Sequence, residues 1–324
     1  MNTMLIRRLT VAALAVCMAL PAHAQGPATS VTRILVGFPP GQATDLVARL
    51  LAERLTTTLA RPVIVENKPG QGGSIALATL AKSPPDGNTL TLSALAAYAV
   101  NPYLYPNVGY STLKDLAPVA MVADLPLVLA VNPSVPATTL KELVAYAKAN
   151  PDKLSHSSSG NGTLSHLLME DFKQRAGIKI MHVPYPGSAR AVNDLIAGTV
   201  QVGLDTVAVL QPQINAGKLR IIAAGTRTRL AAFPDTPTFD ELGYPGFEAV
   251  AWVGVTAPAG TPLALREQLN AEIQKIVRSP DFTQRLLAMG SVPRPGSIDE
   301  MAALLKSEDA RWQAIIARSG AKVD

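Results

Sequence analysis

The chain has 324 residues, 48% of them hydrophobic and 16% charged, with 29 basic against 24 acidic side chains. This is the composition of an ordinary globular protein long enough to bury a core, not of a disordered or collagenous chain. Lys and Arg form no run or stripe, which argues against nucleic acid as a partner, and a single cysteine excludes a disulfide framework.

Arg7 and Arg8 lead into an uncharged apolar run over residues 9–20, followed by Pro21 and Ala22-His23-Ala24 before Gln25. This is the order of a secretory signal peptide over residues 1–24, with cleavage expected after Ala24. The run falls short of the roughly 20 apolar residues that span a bilayer. Cys17 lies inside it, and Val16 is a poor match to the small residue that lipoprotein processing needs, so the later cleavage site is preferred to a lipid anchor. Cleavage removes Arg7, Arg8 and the cysteine, leaving 27 basic and 24 acidic residues, a net charge near +3, and no thiolate for catalysis or metal binding. The expected location is a bacterial periplasm, beyond cytosolic ATP and NAD.

From Val31 the chain alternates into a largely apolar strand that ends at Phe38-Pro39-Pro40-Gly41. Leu46, Val47, Leu50, Leu51, Leu55 and Leu59 then recur at helical spacing, with a start near Thr44 and Asp45 suited to the helix dipole. A strand at 63–65, a glycine-rich loop at 67–73, a helix at 74–81 and a strand at 89–93 complete a first alternating set. A second set begins after Leu125-Pro126: strand 128–131, helix 139–149 capped by Thr138, strand 154–157, and a helix carrying Leu164, Leu167, Leu168 and Phe172. It continues through strand 180–183, helix 189–197, strand 200–204, helix 207–216 and strand 221–224. Strand character resumes at 249–255, and amphipathic helices at 262–278 and 298–318 close the chain. Ser297 and Glu300 form a capping box before the last helix. Strands alternating with helices across short connections predict doubly wound α/β layers.

The chemistry sits in loops that follow a strand and open a helix: residues 39–44, 157–163 and 184–188. Ligands of open α/β sheets bind at the carboxyl ends of strands. There the first helical turn offers free N–H groups and a positive dipole end, so a small anion is held without a formal charge. Taken singly, each loop also reads as an ordinary turn. Ser158 and Thr163 add hydroxyl donors. Asp205, just after strand 200–204, either accepts from a ligand amine or hydroxyl, orients a water, or caps the helix from Val207. Gly160-Asn161-Gly162-Thr163 falls one glycine short of a dinucleotide fingerprint, and there is no P-loop, G-x-S-x-G or H-E-x-x-H. His156, His166 and His182 are too few and too scattered in sequence for a metal site. Ser165 and His166 with Asp205 could be imagined as a hydrolytic triad, although sequence neighbours seldom adopt that geometry.

Gly37-Phe38-Pro39-Pro40-Gly41, Thr44-Asp45 and Ala48-Arg49 resemble the opening of the Bug, or tripartite tricarboxylate receptor, family. The resemblance continues through Val65-Glu66-Asn67-Lys68-Pro69-Gly70, Gly72-Gly73, Pro85-Asp86-Gly87, Gly160-Asn161-Gly162-Thr163 and His182-Val183-Pro184-Tyr185. It extends to Gly187-Ser188, Ala216-Gly217-Lys218-Leu219 and Ala257-Pro258-Ala259-Gly260-Thr261-Pro262, in order along the whole mature chain.

The resemblance implies a two-lobed periplasmic binding protein of type II-like architecture, two doubly wound sheets joined by a two-crossover hinge. Lobe 1 would comprise residues 25–124 and 249–324, with lobe 2, residues 125–248, inserted between. It also implies capture of a small carboxylate by backbone amides, hydroxyls and bridging waters, without cofactor or metal. A monomer would deliver that ligand to the membrane subunits of a tripartite tricarboxylate-type transporter. Carried over by position, the ligand contacts are Phe38, Gly41, Gln42, Ala43, Thr44, Ala94, Tyr98, Ser158, Gly160, Asn161, Gly162, Thr163, Tyr185 and Asp205. Gln42 and Ala43 stand where the family usually has further glycines, which stiffens the first loop and lets Gln42 reach a ligand. Tyr98 replaces a smaller residue or histidine and would narrow the cleft or stack on a ring. Arg190 replaces a usual proline and faces either a second carboxylate or solvent. The alternatives are a receptor that presents its ligand to a sensor kinase, a periplasmic hydrolase, and a scaffold with no ligand.

Overall fold

The computed structural model describes residues 31–319; the leader, Cys17 and the cleavage position lie outside the described residues. No described helix is long and apolar enough to cross a membrane.

Strand β1 (Thr32–Val36) lies between β2 (Val63–Asn67) and β3 (Thr89–Ala94), parallel to both. Apart from Arg33 its residues are buried, which is why it reads as an apolar run. Helix α1 (Ala43–Thr58) buries Val47, Leu50, Leu51 and Leu55 along one stripe, each contributing about 1.5–3 kcal/mol by leaving water. It begins one residue before the expected Thr44, because Gln42 keeps extended backbone at the cap position. Helix α2 (Ser74–Ala81) follows, and a buried π-helical turn at Ala96–Val100 comes after β3.

The largest departure from the sequence reading is β4, a sixteen-residue strand (Leu116–Val131) of which only the last four residues look like one. Pro118 and Pro126 disguise it. Pro118 sits at a register irregularity, where a missing N–H costs no ladder bond, and Pro126 pairs with Val250 at the end of the shared stretch. Residues 116–126 of β4 pair with β9 (Val250–Pro258), whereas residues 127–131 pair with β7 (Val202–Thr206) and β8 (Arg220–Ala224). The strand order is β2-β1-β3-β9-β4-β7-β5-β6, with β5 at Ser155–Ser158 and β6 at Met181–Pro184. The two expected sheets are therefore continuous through one shared strand, and the chain passes between them at residues 126–127 and again at 249–250. Between β4 and β8 come α3 (Leu140–Ala149), α4 (Leu164–Ala176), α5 (Ser188–Ala197) and α6 (Val207–Asn215). Then follow α7 (Leu263–Val277), α8 (Pro280–Ala288), the short β10 (Val292–Pro293) on β4, and α9 (Ile298–Ser319).

Two caps test the local reading. Ser297 and Glu300 exchange the two bonds of a capping box, at 2.7 and 3.1 Å. For α3 the cap is Thr139, not Thr138: Thr139 Oγ1 accepts the Glu142 N–H at 3.2 Å, and both threonine N–H groups donate to Glu142 Oε2. Two adjacent threonines make the sequence ambiguous by one position.

Candidate ligand-binding site

The loop from β1 into α1 is fastened by one buried carboxylate. Asp45 accepts from the Gly41 N–H (2.9 Å), Asn67 Nδ2 (2.8 Å) and Arg49 Nε (2.9 Å). Asn67 also donates to the Phe38 carbonyl at 2.9 Å. Burial pushes the Asp45 carboxyl up, but the bonds from Arg49, Asn67 and Gly41 outweigh it and hold it below its ordinary value. The loop is thus clamped to the carboxyl end of β2 while the first turn of α1 keeps its N–H groups uncommitted.

The loop at 158–163 is tied in the same spirit. Thr163 Oγ1 donates to the Gly160 carbonyl at 2.7 Å, and the Ser159 N–H donates to Ser165 Oγ at 3.0 Å. Gly160 and Gly162 take positive φ (134° and 76°), which lets the chain turn tightly into α4.

These two loops face one cavity of about 60 Å3, room on the order of four to six waters at roughly 10–15 Å3 each on the same measure. Phe38, Gln42, Ala43 and Thr44 line it from the first loop, and Ser159, Thr163, Leu164 and Ser165 from the second. Ala94, Ala96, Leu125, Leu127 and Ala251 form an apolar wall, and Ser188, Asp205 and Thr206 complete it. No lining residue is Arg, Lys or His, and Asp205 is the one ionisable group among them. Positive potential comes from the first turns of α1 and α4, where the N–H groups of Ala43, Thr44, Leu164 and Ser165 have no intrahelical acceptor.

A hydrogen-bond chain runs across the cavity. Gln42 Nε2 donates to Ser188 Oγ at 2.9 Å, and Ser188 Oγ donates to Asp205 Oδ2 at 2.7 Å. Because Ser188 gives its single hydrogen to Asp205, it must accept from the amide nitrogen, which fixes the Gln42 amide. Gln42 Oε1 is left buried without a partner among the described residues. Asp205 Oδ1 takes the Thr206 N–H at 2.7 Å, while Thr206 itself occupies the cap position of α6.

Of the residues expected at the site, Phe38, Gln42, Ala43, Thr44, Ala94, Thr163 and Asp205 line this cavity. Gly41, Ser158, Gly160, Asn161, Gly162, Tyr98 and Tyr185 do not. Tyr98 is turned into the core, fully buried, with its hydroxyl on the Gly254 carbonyl at 3.0 Å and its ring stacked on Trp252 at 5.5 Å. The π-helical turn supplies that rotation, and no spacing rule announces it. Tyr185 donates to Asp194 at 2.7 Å, and Arg190 is exposed. The sequence reading named Ser165 only in the imagined triad, singled out the loops of Ser159 and Ser188 without naming either as a contact, and passed over Thr206, Leu164 and the apolar wall apart from Ala94; those wall residues carry no signal beyond hydrophobicity.

The imagined triad is not assembled. Ser165 Oγ bonds to Thr163 and Ser159, and Asp205 bonds to Ser188. His166 Nδ1 instead accepts the Gly162 N–H at 3.3 Å. The histidines, moreover, are not scattered. His156 and His182 stack at 4.8 Å, and His182 and His166 at 4.1 Å, because β5 and β6 pair in parallel with His156 opposite His182.

A larger cavity of about 810 Å3 runs between α4 and α9. It contains four arginines, but each is paired: Arg175 with Asp171, Arg227 with Glu248, Arg294 with Asp124 and Arg311 with Glu308. Asp124, Glu170, Asp171, Glu248 and Glu308 line it as well, so its lining carries no excess positive charge, which leaves the smaller cavity as the better anion site.

Burial pushes the Asp205 carboxyl above its ordinary value, against the bonds from Ser188 and Thr206. For a carboxyl raised on folding, stability is fullest below the unfolded pKa and is lost as pH rises through the folded one. Asp205→Asn should therefore raise the melting temperature of the ligand-free protein at pH 7, by about 2–4 °C for each kcal/mol recovered. The gain should shrink towards pH 4. The replacement fits the network, since the Asn amide can donate to Ser188 and the freed Ser188 hydroxyl can turn to Gln42 Oε1. A melting temperature at pH 7 equal to or below wild type would contradict this reading.

The family described as "Tripartite tricarboxylate transporter family receptor" matches residues 47–321. Protein BugT of Bordetella pertussis is 38% identical over 292 residues, covering 90% of both chains. A solved R. palustris protein, determined with adipate, is 34% identical with a TM-score of 0.86, covering 90% of this chain and 98% of that one. MatC from Rhodopseudomonas palustris, with bound malate, is 30% identical with a TM-score of 0.82, covering 88% and 98%.

Proposed function

The chain belongs to the tripartite tricarboxylate transporter receptor family, and from that premise we propose that it captures one small mono- or dicarboxylate in the cavity between the two loops. After export to the periplasm it hands that ligand to the membrane subunits of a transporter of the same type. The lobes that close on it are residues 25–124 with 249–324, and residues 125–248. The observation that carries the reading is the lining: two helix N-termini, from α1 and α4, converge on a cavity without a cationic side chain. The adipate and malate named with two relatives support the same ligand class.

Each part of the site has a task. A carboxylate takes the N–H groups of Ala43, Thr44, Leu164 and Ser165 together with the hydroxyl of Thr44, the hydroxyls of Ser159 and Thr163 being engaged within their own loop. The apolar wall carries the ligand's carbon chain. Gln42 Oε1 and Asp205 offer acceptors at the other pole, so a hydroxyl or amine placed there gains a partner while a bare methylene leaves them unpaired. The bond from Gln42 to Ser188 joins the two lobes and helps to hold them closed.

Calorimetry with four- to six-carbon acids tests this. Malate should bind at one per chain, and more tightly than succinate, its analogue without the hydroxyl. Gln42→Ala should weaken binding by roughly 2–10-fold, the worth of one net hydrogen bond. Heat signals absent for every acid in the panel would overturn the reading.

A further inference from the structure

The three stacked imidazoles lie outside the carboxylate cavity, beside the loop that forms one wall of it. His166 and Glu170 stand one turn apart on α4, hence on one face of the helix, and His182 reaches the same place from β6. Donor atoms of His166, Glu170 and His182 all lie within 4.8 Å of one another. We propose that these three side chains form a binding site for one divalent transition-metal ion of the zinc class.

Tautomer logic favours it. Ser158 Oγ lies 2.7 Å from His182 Nε2, and when that contact is an N–H donated by the ring the hydroxyl hydrogen turns to the Gly160 carbonyl at 3.3 Å. His182 Nδ1 is then left with its lone pair and makes no hydrogen bond among the described residues. An imidazole whose far nitrogen donates to a fixed oxygen is the usual arrangement of a metal-bound histidine. Glu170 is oriented from behind by His156, fully buried, whose Nε2 lies 3.2 Å from Oε1. Two imidazoles and one carboxylate suit zinc, nickel or copper, with water completing the coordination, and suit calcium or magnesium poorly.

Three features of the ion-free site must yield. The His166 and His182 rings, stacked at 4.1 Å and 9° from parallel, must rotate until their in-plane lone pairs meet at one ion. Lys173 Nζ holds both Glu170 oxygens, at 2.7 and 2.8 Å, and a divalent ion takes its place. The Gly162 N–H, now on His166 Nδ1, is released whichever nitrogen takes the metal, because a metal on Nε2 leaves Nδ1 protonated. Metal binding therefore loosens one tie of loop 158–163.

The test is calorimetric titration of zinc into chelator-treated full chain carrying no affinity-tag histidines, with cobalt absorption as a second readout. One zinc per chain is expected, with d–d bands of a low-coordinate cobalt site. Loss of an outer-shell partner costs 10–100-fold in affinity, so loss of a direct ligand in His182→Asn should cost about 100-fold or more. Glu170→Gln should weaken zinc at least tenfold, and Lys173→Met should tighten it by removing the competing cation, an effect that a merely structural lysine would not produce. Should His182→Asn fail to fold by circular dichroism, the other two variants decide. The proposal is overturned if zinc binds more weakly than about 0.1 mM, if uptake is unchanged in Glu170→Gln, or if Lys173→Met fails to tighten it.

Discussion

Ala94→Leu should abolish carboxylate capture and leave the fold intact. Ala94 ends β3, 7% exposed, with its side chain on the cavity wall. Three added carbons, each comparable in bulk to a water, take most of a space that holds on the order of four to six waters. Overpacking a filled core costs about 1–3 kcal/mol, but here the new atoms enter space that is already empty, so the cost should fall below that range. Calorimetry should show affinity reduced by at least about 100-fold, near 2.8 kcal/mol, with a melting temperature within a few degrees of wild type. If fold and binding fail together, the cavity is packing rather than a site. If binding survives, the ligand sits elsewhere.

The second large effect is on stability. Gly225 lies where the two passages between the sheet halves meet. Its N–H donates to the Leu127 carbonyl at 2.9 Å, its carbonyl takes the Ala249 N–H at 2.7 Å, and the Leu127 N–H donates to the Ala249 carbonyl at 2.9 Å. A Cβ on Gly225 would lie 2.4 Å from Ala249 Cβ, 2.8 Å from the Ala249 carbonyl oxygen and 2.9 Å from that of Leu127. Two of these neighbours are backbone atoms committed to the same bonds and cannot yield separately. Gly225→Ala should destabilise by about 3 kcal/mol or more, in the range of severe core overpacking. Gly296→Ala is the control, since the atoms nearest its methyl belong to the Met121 and Glu300 side chains, at 3.2 Å or more. A Gly225→Ala protein that melts with wild type would mean that the passages separate freely and do not pin the two halves.

How much of this was legible depends on the range of the interaction. Local physics was readable: the stripe of α1, the Ser297 box and the alternation of strands and helices came through with boundaries off by one to three residues, although α8 was not expected. β4 was not, because Pro118 and Pro126 are strand breakers in any local reading and only the bulge and strand-end register make them tolerable. The two wall loops were legible as helix openings, but the partner each one faces is a tertiary fact. Leu125, Leu127 and Ala251 therefore went unnoticed, and Tyr98 was assigned to a cleft from which a π-helical turn removes it. His156 and His182 are 26 positions apart in sequence, and only the parallel register of β5 and β6 sets one beside the other.

The central claim is that peptide N–H groups, rather than cationic side chains, hold the ligand's charge. A crystal structure of the protein grown with malate or adipate tests it most directly. The account predicts carboxylate oxygens within hydrogen-bonding distance of the N–H groups that open α1 and α4, with the carbon chain against Ala94, Leu127 and Ala251. A carboxylate found on the arginines of the larger cavity, or cavity walls collapsed onto each other with the acid in excess, would contradict it.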